Sequence, residues 1–310
     1  MTGLDYAAVV DPDLRPALAV IPDLGDLSNE TVSEVRNLLA GLPPSVGLDN
    51  GVEVTWVSIP VENGPTLPAL LYMPVGAPLP LPALLNIHGG GFVVGSAARD
   101  DDMVRTLARG LGCAILSPDY RLAPEYPYPA ALDDCHAALA WLAALPQVDP
   151  ARIGIRGISA GGGLALGLAL RVRDERATTL CCLHLVYPML DDRTAEHPFN
   201  GRFVWTASAN RFGWQAMLGD HDRDHPAPYA VPGRAHDLAD LPSTFVAVGS
   251  IDLFADEALA LASRLMAAGV PVELHLYPGA FHGFILVAAS RVAKAFERDS
   301  LAALTRAFND

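Results

Sequence analysis

Short apolar segments alternate with longer segments of helical periodicity from residue 81 to residue 308, and no other feature of the sequence constrains the fold as strongly. Strands and helices that alternate along a chain build a mostly parallel sheet with helices on both faces. The strands are predicted at residues 81–87, 113–117, 152–156, 180–186, 243–248 and 272–277. The helices are predicted at residues 103–111, 130–145, 162–173, 257–268 and 288–308. The sequence therefore predicts an α/β fold.

The first 80 residues follow a different pattern. Residues 52–59 and 67–73 are apolar runs bounded by Pro and Gly, which predicts two antiparallel strands. Residues 1–50 predict short helices outside the sheet, because Thr31 and Glu34 have the spacing of a capping box, and Gly41 with the Pro43-Pro44 pair provides a stop. Residues 51–310 are then the main domain.

The alternation of strands and helices stops between residues 189 and 240. This segment is interrupted by Pro and Gly and carries six large aromatic residues, Phe199, Phe203, Trp205, Phe212, Trp214 and Tyr229. It is long for a connection between a strand and a helix. Open α/β sheets bind ligands beyond the carboxyl ends of their strands, where this segment begins. We therefore predict a cap insertion at about residues 190–236 that covers a ligand site.

The charge and hydropathy of the chain exclude several classes of protein. The 310 residues include 21 basic and 35 acidic ones, and the formal net charge of −14 repels nucleic acid and anionic membrane surfaces. The longest apolar run, residues 164–170, is too short to cross a bilayer. Acidic residues interrupt the start of the chain, so no secretory signal is expected. These features predict a cytoplasmic protein with no nucleic-acid or membrane partner.

The cysteines and one polar loop are candidates for metal binding that the sequence does not favour. The four cysteines lack the spacing of a metal site, and the adjacent Cys181 and Cys182 are predicted to point to opposite faces of a strand. We interpret all four as reduced core residues. Residues 220–225 contain several Asp and His side chains, but Gly219 and Pro226 indicate a solvated loop. We expect no metal and no cofactor.

The pentapeptide Gly157-Ile158-Ser159-Ala160-Gly161 lies between a predicted strand and a predicted helix. A sharp turn from strand to helix requires glycine at positions 157 and 161, because side chains there would clash. Such a turn presents the Ser159 hydroxyl at the start of a helix, where the helix dipole favours developing negative charge. This pattern predicts that Ser159 is a nucleophile.

A serine hydroxyl needs a base to accept its proton, and that base needs a group to orient it. His282 follows the last predicted strand and is the best candidate for the base, since His136, His184 and His275 fall within helices or strands. Asp252 follows the strand at 243–248 and is the predicted carboxylate partner. Asp256 is the rival, but its expected position in the first turn of a helix gives it a structural explanation.

His88-Gly89-Gly90-Gly91 ends another predicted strand. Consecutive glycines allow backbone N–H groups to face a substrate, and such donors stabilise the oxyanion of acyl transfer. A phosphate-binding loop is disfavoured, because no Lys-Ser or Lys-Thr follows the glycines. The chain order Ser159, Asp252, His282 is the α/β-hydrolase order and differs from those of chymotrypsin-like and subtilisin-like enzymes.

With these residues placed, the chain resembles the hormone-sensitive lipase family of α/β-hydrolases, the bacterial family IV carboxylesterases. The resemblance covers nearly the whole length. Besides the residues named above, its motifs are Asp119-Tyr-Arg-Leu-Ala-Pro-Glu125, Tyr187-Pro-Met-Leu-Asp-Asp192, Asp252-Leu-Phe-Ala-Asp-Glu257 and His282-Gly-Phe284. Two positions depart from the family pattern. Ile158 stands where Asp or Thr is usual, and Leu253-Phe254 replaces a usual Pro-Leu pair.

The resemblance implies an eight-stranded hydrolase sheet with a helical cap formed by residues 1–50 and the insertion near 190–236. It also assigns roles to the motif residues: the triad to Ser159, Asp252 and His282, the oxyanion donors to the N–H groups of Gly90, Gly91 and Ala160, and structural support near the site to Tyr120 and Arg121. Dimerisation of such proteins through the last helix and strand makes a homodimer possible here.

These features predict a serine carboxylesterase that hydrolyses small-molecule esters with short to medium acyl chains. An amidase or a lactone hydrolase would use the same triad, and a lyase known in the family would also keep it. In a different class, plant hormone receptors of this fold bind a small molecule without turnover. Such receptors typically lose the catalytic histidine, whereas this chain has His282.

Overall fold

An eight-stranded sheet forms the centre of the protein. The computed structural model describes residues 6–21, 27–41, 51–62, 64–194 and 196–309. In chain order the strands are β1 (Val52–Ile59), β2 (Leu67–Pro74), β3 (Leu81–Ile87), β4 (Ala114–Pro118), β5 (Val148–Ile158), β6 (Cys182–Val186), β7 (Ser243–Gly249) and β8 (Val272–Tyr277). Their order across the sheet is β1-β2-β4-β3-β5-β6-β7-β8. The α/β-hydrolase fold expected from the sequence is confirmed.

The sheet is mostly parallel. The six strands from β3 to β8 pair in parallel, whereas β1 pairs with β2, and β2 with β4, in antiparallel fashion. The inner parallel strands β3, β4, β6 and β7 are almost entirely buried and mostly apolar, as strands covered on both faces must be. Their carboxyl ends lie at one edge, so the loops that follow β3, β5, β7 and β8 meet there.

Helices cover both faces of this sheet. Their bounds are α1 (Val32–Gly41), α2 (Asp101–Leu111), α3 (Ala130–Ala143), α4 (Ala160–Glu175), α5 (Ala207–Leu218), α6 (Ala255–Ala267) and α7 (Arg291–Asn309). On one face α2 and α7 contact each other, and on the other α3 packs beside α4. Buried residues from both layers and the sheet form the core.

Most element boundaries agree with the prediction to within a few residues, and the exceptions have local causes. β5 starts at Val148 rather than at residue 152, because the chain pairs with Leu81 before a register shift that the sequence pattern conceals. α5 lies inside the aromatic-rich insertion and was not predicted. Thr206 caps it, with its hydroxyl accepting a hydrogen bond from the Ala209 N–H at 3.2 Å.

One sequence prediction about the cysteines is wrong. Cys181 and Cys182 do not point to opposite faces of a strand, because β6 begins only at Cys182, and their Sγ atoms lie 3.9 Å apart. All four cysteines are free; Cys181 is partly exposed and the other three are buried.

The N-terminal segments lie outside the sheet. Short 3-10 helices at Tyr6–Val9 and Arg15–Ala19 precede α1, which ends at the predicted Gly41. The Pro43-Pro44 pair falls outside the described residues. The Asp11 N–H donates to the Gly279 carbonyl at 2.9 Å, so this part of the chain contacts the loop that follows β8. No helix in the described ranges combines the length and the apolar character needed to cross a membrane.

Candidate active site

Ser159 occupies a strained turn between β5 and α4. Its backbone has φ 55° and ψ −119°, a region that side-chain-bearing residues rarely adopt. A Cβ atom on Gly157 would lie 2.1 Å from the Gly161 carbonyl oxygen, and one on Gly161 would lie 2.2 Å from that of Ile87. Both glycines predicted from the pentapeptide are therefore required by close backbone contacts.

Replacing Gly161 with alanine is expected to destabilise the protein by about 3 kcal/mol or more, because the atoms in the way belong to the backbone at the end of β3. The free energy of unfolding from urea titration measures this loss. Gly110→Ala is the matched control, since a Cβ there meets only the flexible Leu301 side chain at 3.3 Å and alanine favours a helix. Equal stability of the two variants would contradict the steric explanation.

Ser159, His282 and Asp252 are joined by hydrogen bonds. The Ser159 Oγ lies 2.9 Å from His282 Nε2, and His282 Nδ1 lies 2.9 Å and 3.1 Å from the two carboxylate oxygens of Asp252. Since Nδ1 donates its proton to the carboxylate, Nε2 is free to accept the proton of the serine hydroxyl. The structure thus brings together the three residues predicted from their order in the chain.

The surroundings of His282 fix the ring and exclude water. The rings of Tyr187 and Phe254 approach the imidazole edge to face, with centroids 4.6 Å and 5.2 Å away. Asp252 is fully buried, and its carboxylate also accepts the Phe254 N–H at 2.9 Å. Ser159 and His282 are only 4% and 6% exposed. In this low-dielectric setting each of these hydrogen bonds is stronger than it would be in water.

The other candidates for the acid and the base lie outside the triad. Asp256 lies in the first turn of α6, as predicted, and of the two carboxylates it is Asp252 that hydrogen-bonds to His282. His184 accepts or donates a hydrogen bond with Ser300 at 3.0 Å inside the core, His136 pairs with Glu175, and His275 pairs with Glu273. These contacts give His136, His184 and His275 structural roles.

The loop His88-Gly89-Gly90-Gly91 lies directly beside Ser159. A Cβ on Gly89 would be 3.3 Å from the Ser159 Cβ, and Gly90 and Gly91 adopt φ values of 122° and 58°. His88 fixes the loop, because its Nδ1 donates to the Gly89 carbonyl at 2.8 Å. The Ala160 N–H opens α4 next to the same serine. The three predicted oxyanion donors therefore belong to backbone segments that adjoin the nucleophile.

The Asp119 to Glu125 motif packs beside the glycine loop, which it contacts through Tyr120. The Tyr120 hydroxyl donates to the His88 carbonyl at 3.0 Å, and the two rings stack with centroids 4.1 Å apart. Arg121 binds Asp134 through its backbone N–H and its guanidinium. The supporting role expected for Tyr120 and Arg121 agrees with these contacts.

Ile158, the uncommon neighbour of the nucleophile, makes an apolar contact. It is buried, and its Cγ2 would lie 3.6 Å from a Cβ built on Gly89. The side chain therefore packs beneath the glycine loop, where a polar residue would need a partner.

Two residues make long-range contacts at the site, Trp205 of the predicted cap insertion and Arg36 of α1. Trp205 packs its indole against Gly91, and its ring centroid lies 6.5 Å from that of His282. Arg36 of α1 reaches the segment that follows the glycine loop, with hydrogen bonds to the carbonyls of Val93 at 2.7 Å and Ala123 at 2.8 Å. Arg36 also pairs with Glu125. No local pattern signals either contact.

Replacing Arg36 with alanine is expected to lower the free energy of unfolding by about 1–3 kcal/mol, because two backbone carbonyls lose their charged donor. Thermal and urea unfolding measure the effect. The control is Arg298→Ala, which removes a mostly exposed guanidinium from its ion pair with Asp299 and is expected to cost about 0.5 kcal/mol or less. If both variants unfold alike, Arg36 does not fasten α1 to the site.

The loop at residues 220–225 makes contacts within itself and to other segments, among them an ion pair between Arg223 and Asp192. The Asp222 carboxylate accepts the backbone N–H groups of Asp224 and His225 and pairs with the His225 ring. Within the ranges that the structure describes, no three His, Cys, Asp or Glu side chains are grouped so that they could hold a metal ion.

Known proteins resemble this chain in sequence and in structure. A family model described as the α/β hydrolase fold matches residues 84–286. Esterase LipI of Mycobacterium tuberculosis is 34% identical over 92% of this chain and 92% of its own length. The gibberellin receptor GID1A of Arabidopsis thaliana is also 34% identical, over 69% of this chain and 68% of the receptor. A solved structure of a bacterial heroin esterase has a TM-score of 0.88 and 35% identity, covering 97% of this chain and 98% of that one.

The family model spans more than half of this chain, and the LipI match extends over nearly all of it. The same region contains the turn at Ser159, the glycine loop at Gly89 and the hydrogen-bonded Asp252 and His282. The chain belongs to the hormone-sensitive lipase family of α/β-hydrolases.

Proposed function

We propose that this protein is a serine carboxylesterase whose triad is Ser159, His282 and Asp252. The observation that carries the proposal is the unbroken hydrogen-bonded chain from the serine hydroxyl through the imidazole to a fully buried carboxylate. The names of the related esterase LipI and of the bacterial heroin esterase support the same chemistry.

Acylation begins when Ser159 Oγ attacks the ester carbonyl carbon. His282 Nε2 takes the hydroxyl proton and then gives it to the leaving alkoxide oxygen, which departs as the alcohol. Asp252 holds the Nδ1 proton and stabilises the imidazolium that forms in between. The product of this half-reaction is an acyl group covalently bound to Ser159.

Deacylation repeats these steps with water as the nucleophile. His282 removes a proton from water, the hydroxide attacks the acyl carbonyl, and the carboxylic acid leaves as Ser159 recovers its proton. In both halves negative charge develops on the carbonyl oxygen. The N–H groups of Gly90, Gly91 and Ala160 are the proposed donors to that oxygen, and removing one such donor from an enzyme costs about 3–4 kcal/mol.

The proposed cap consists of residues 1–50 and the insertion near residues 190–236. Arg36 of α1 and Trp205 of the insertion both contact the glycine loop or the segment after it, which supports this assignment. A cap that nearly encloses Ser159 suits small esters with short to medium acyl chains. The proposed substrate is therefore a small-molecule ester.

Two other functions use the same fold. An amidase or lactone hydrolase would share every residue of the triad, so substrate assays must separate them from an esterase. A small-molecule receptor without turnover is the alternative from a different class, and the GID1A match gives it a relative. The hydrogen bond between His282 and Ser159 argues against the receptor function, because binding without turnover does not require a base positioned to accept the serine proton.

The test is a turnover panel of p-nitrophenyl esters from acetate to laurate, with p-nitroanilides of the same acids and small lactones. We expect saturable hydrolysis of the esters, a maximum at short to medium acyl length and much slower release of p-nitroaniline. Faster turnover of anilides or lactones would assign the alternative hydrolase activity. Binding without turnover of any compound would favour the receptor.

A homodimer formed through β8 and α7 stays a prediction. β8 is one of the two edge strands of the sheet, and Leu274 and Leu276 on it are exposed. Sedimentation equilibrium of the purified protein measures the oligomeric state.

A further inference from the structure

The buried face of α5 carries polar atoms without partners. Asn210 is 1% exposed, yet no residue within the described ranges hydrogen-bonds to its Oδ1 or its Nδ2. The indole Nε1 atoms of Trp205 and Trp214 are buried and unpartnered in the same part of the described structure. Buried polar atoms are nearly always hydrogen-bonded in folded proteins, because leaving one unpaired is costly. Several such atoms on one short segment indicate a place that is built to receive a polar group.

This segment lies against the catalytic machinery. A Cβ on Gly91 would be 1.9 Å from the Trp205 ring, and a Cβ on Gly213 of α5 would be 2.7 Å from the Gly91 carbonyl oxygen. The Trp205 ring also faces His282, with 6.5 Å between centroids. Trp205 and Gly213 of α5 therefore pack against Gly91, one of the proposed oxyanion donors, and Trp205 also lies near the catalytic base.

Asn210 projects from the same side of α5. It precedes Gly213 by three residues and Trp214 by four, and residues at these spacings share a helix face. Trp214 packs on Phe92, the residue after the glycine loop, with ring centroids 5.1 Å apart. Apart from Asn210, the buried residues of α5 are apolar or glycine. The amide is thus an isolated polar group on an otherwise apolar face beside the active site.

We propose that Asn210, with the Trp205 indole N–H, recognises a hydroxyl group on the substrate, so that the preferred substrates are hydroxylated esters. This inference rests on the proposed esterase function. A hydroxyl is the smallest neutral group that both accepts and donates: it accepts from Asn210 Nδ2 or Trp205 Nε1 and donates to Asn210 Oδ1. The side chains that would hold it carry no charge.

Buried polar groups that bind a substrate hydroxyl discriminate against an analogue without it, because the analogue leaves those groups unpaired in the complex. Sites built to bind a substrate hydroxyl reject the analogue that lacks it by large factors, whereas apolar pockets discriminate weakly. The expected consequence here is at least about a tenfold preference in kcat/KM for a hydroxyl over a methyl group at the recognised position.

The experiment compares two pairs of esters in which a hydroxyl replaces a methyl group of equal size. In the acyl arm the pair is p-nitrophenyl 3-hydroxybutyrate and p-nitrophenyl 3-methylbutyrate. In the alcohol arm the pair is 2-hydroxypropyl butyrate and 2-methylpropyl butyrate. Hydrolysis of these two esters is measured from the acid that is released. The arm that shows the preference identifies the part of the substrate that Asn210 faces.

The variants are Asn210→Leu, which keeps the size of the side chain and removes its polar atoms, and Trp205→Phe, which removes the indole N–H. Asn309→Leu makes the same change at an exposed site near the end of α7 and is the matched control. If Asn210→Leu does not fold, the ratio of kcat/KM for the hydroxyl ester to that for the methyl ester in Trp205→Phe tests the proposal instead.

The proposal predicts that the wild-type ratio of hydroxyl to methyl ester is about ten or more in one arm, that it falls at least about fivefold in Asn210→Leu, and that Asn309→Leu preserves it. A smaller wild-type ratio in both arms, or a smaller fall in Asn210→Leu, would overturn it. Absence of turnover for all four esters would instead contradict the esterase function, so the two failures are distinguishable.

Discussion

Ser159→Ala is expected to lower kcat for ester hydrolysis by about 10⁴-fold or more, because it removes the atom that forms the acyl-enzyme. The rate that remains would come from the oxyanion donors and from substrate binding, which act without the nucleophile. The initial rate of p-nitrophenolate release, measured at saturating substrate, gives the effect. Active-site titration of the Ser159→Ala preparation establishes whether contaminating esterase supplies the residual rate.

The fold is expected to survive this change. Alanine loses only the hydroxyl, which bonds to His282, and it inherits the same backbone strain at φ 55°. The circular dichroism spectrum should match that of the wild type, and Tm should stay within about 2–4 °C, equivalent to about 1 kcal/mol. Undiminished turnover in a folded Ser159→Ala protein would refute the assignment of the nucleophile.

Asp252→Asn is expected to lower kcat by about 10³- to 10⁴-fold at neutral pH. An asparagine can donate its amide N–H to His282 Nδ1, which stabilises the tautomer that carries a proton on Nε2 and so cannot accept the serine proton. The loss of the negative charge also removes the partner of the imidazolium. Steady-state kinetics should show that kcat falls and that KM changes little, since the carboxylate is buried behind the base.

Asp256→Asn is the matched control for this variant. Asp256 lies four residues later, in the first turn of α6, and its replacement is expected to change kcat by about twofold or less, since it removes only a favourable helix-dipole interaction. A loss of activity in Asp256→Asn with little change in Asp252→Asn would exchange the roles of the two carboxylates.

Much of the fold was predictable because it depends on local patterns. The alternation of apolar and helical segments predicts the parallel strands from β3 to β8 and the helices between them, and their boundaries differ from the prediction by a few residues. α5 was missed, because Gly213 and two aromatic residues obscure its helical periodicity. Cys181 was misplaced because β6 begins two residues later than predicted, so Cys181 precedes the strand and the alternation of side chains does not apply to it.

The residues of the candidate site also fall into two groups: those that a local motif predicts and those that only long-range packing shows. The glycines around Ser159 and the loop at His88 are motifs in which the local geometry dictates the residue type, so the sequence reveals them. Asp252 was preferred to Asp256 from its position relative to a strand end. Arg36 and Trp205 contact the glycine loop or the segment after it from distant parts of the chain, and only the packing of α1 and of the insertion shows these contacts.

Ser159 is expected to carry the acyl group during turnover, and labelling with a fluorophosphonate ester tests this role without relying on a variant. The serine oxygen displaces fluoride at phosphorus, and the stable phosphonyl-enzyme is digested and mapped by mass spectrometry. We expect a single phosphonyl group on Ser159, loss of activity in parallel with labelling, and no labelling of Ser159→Ala. Complete inactivation with the label on another residue, or active protein with Ser159 fully labelled, would contradict it.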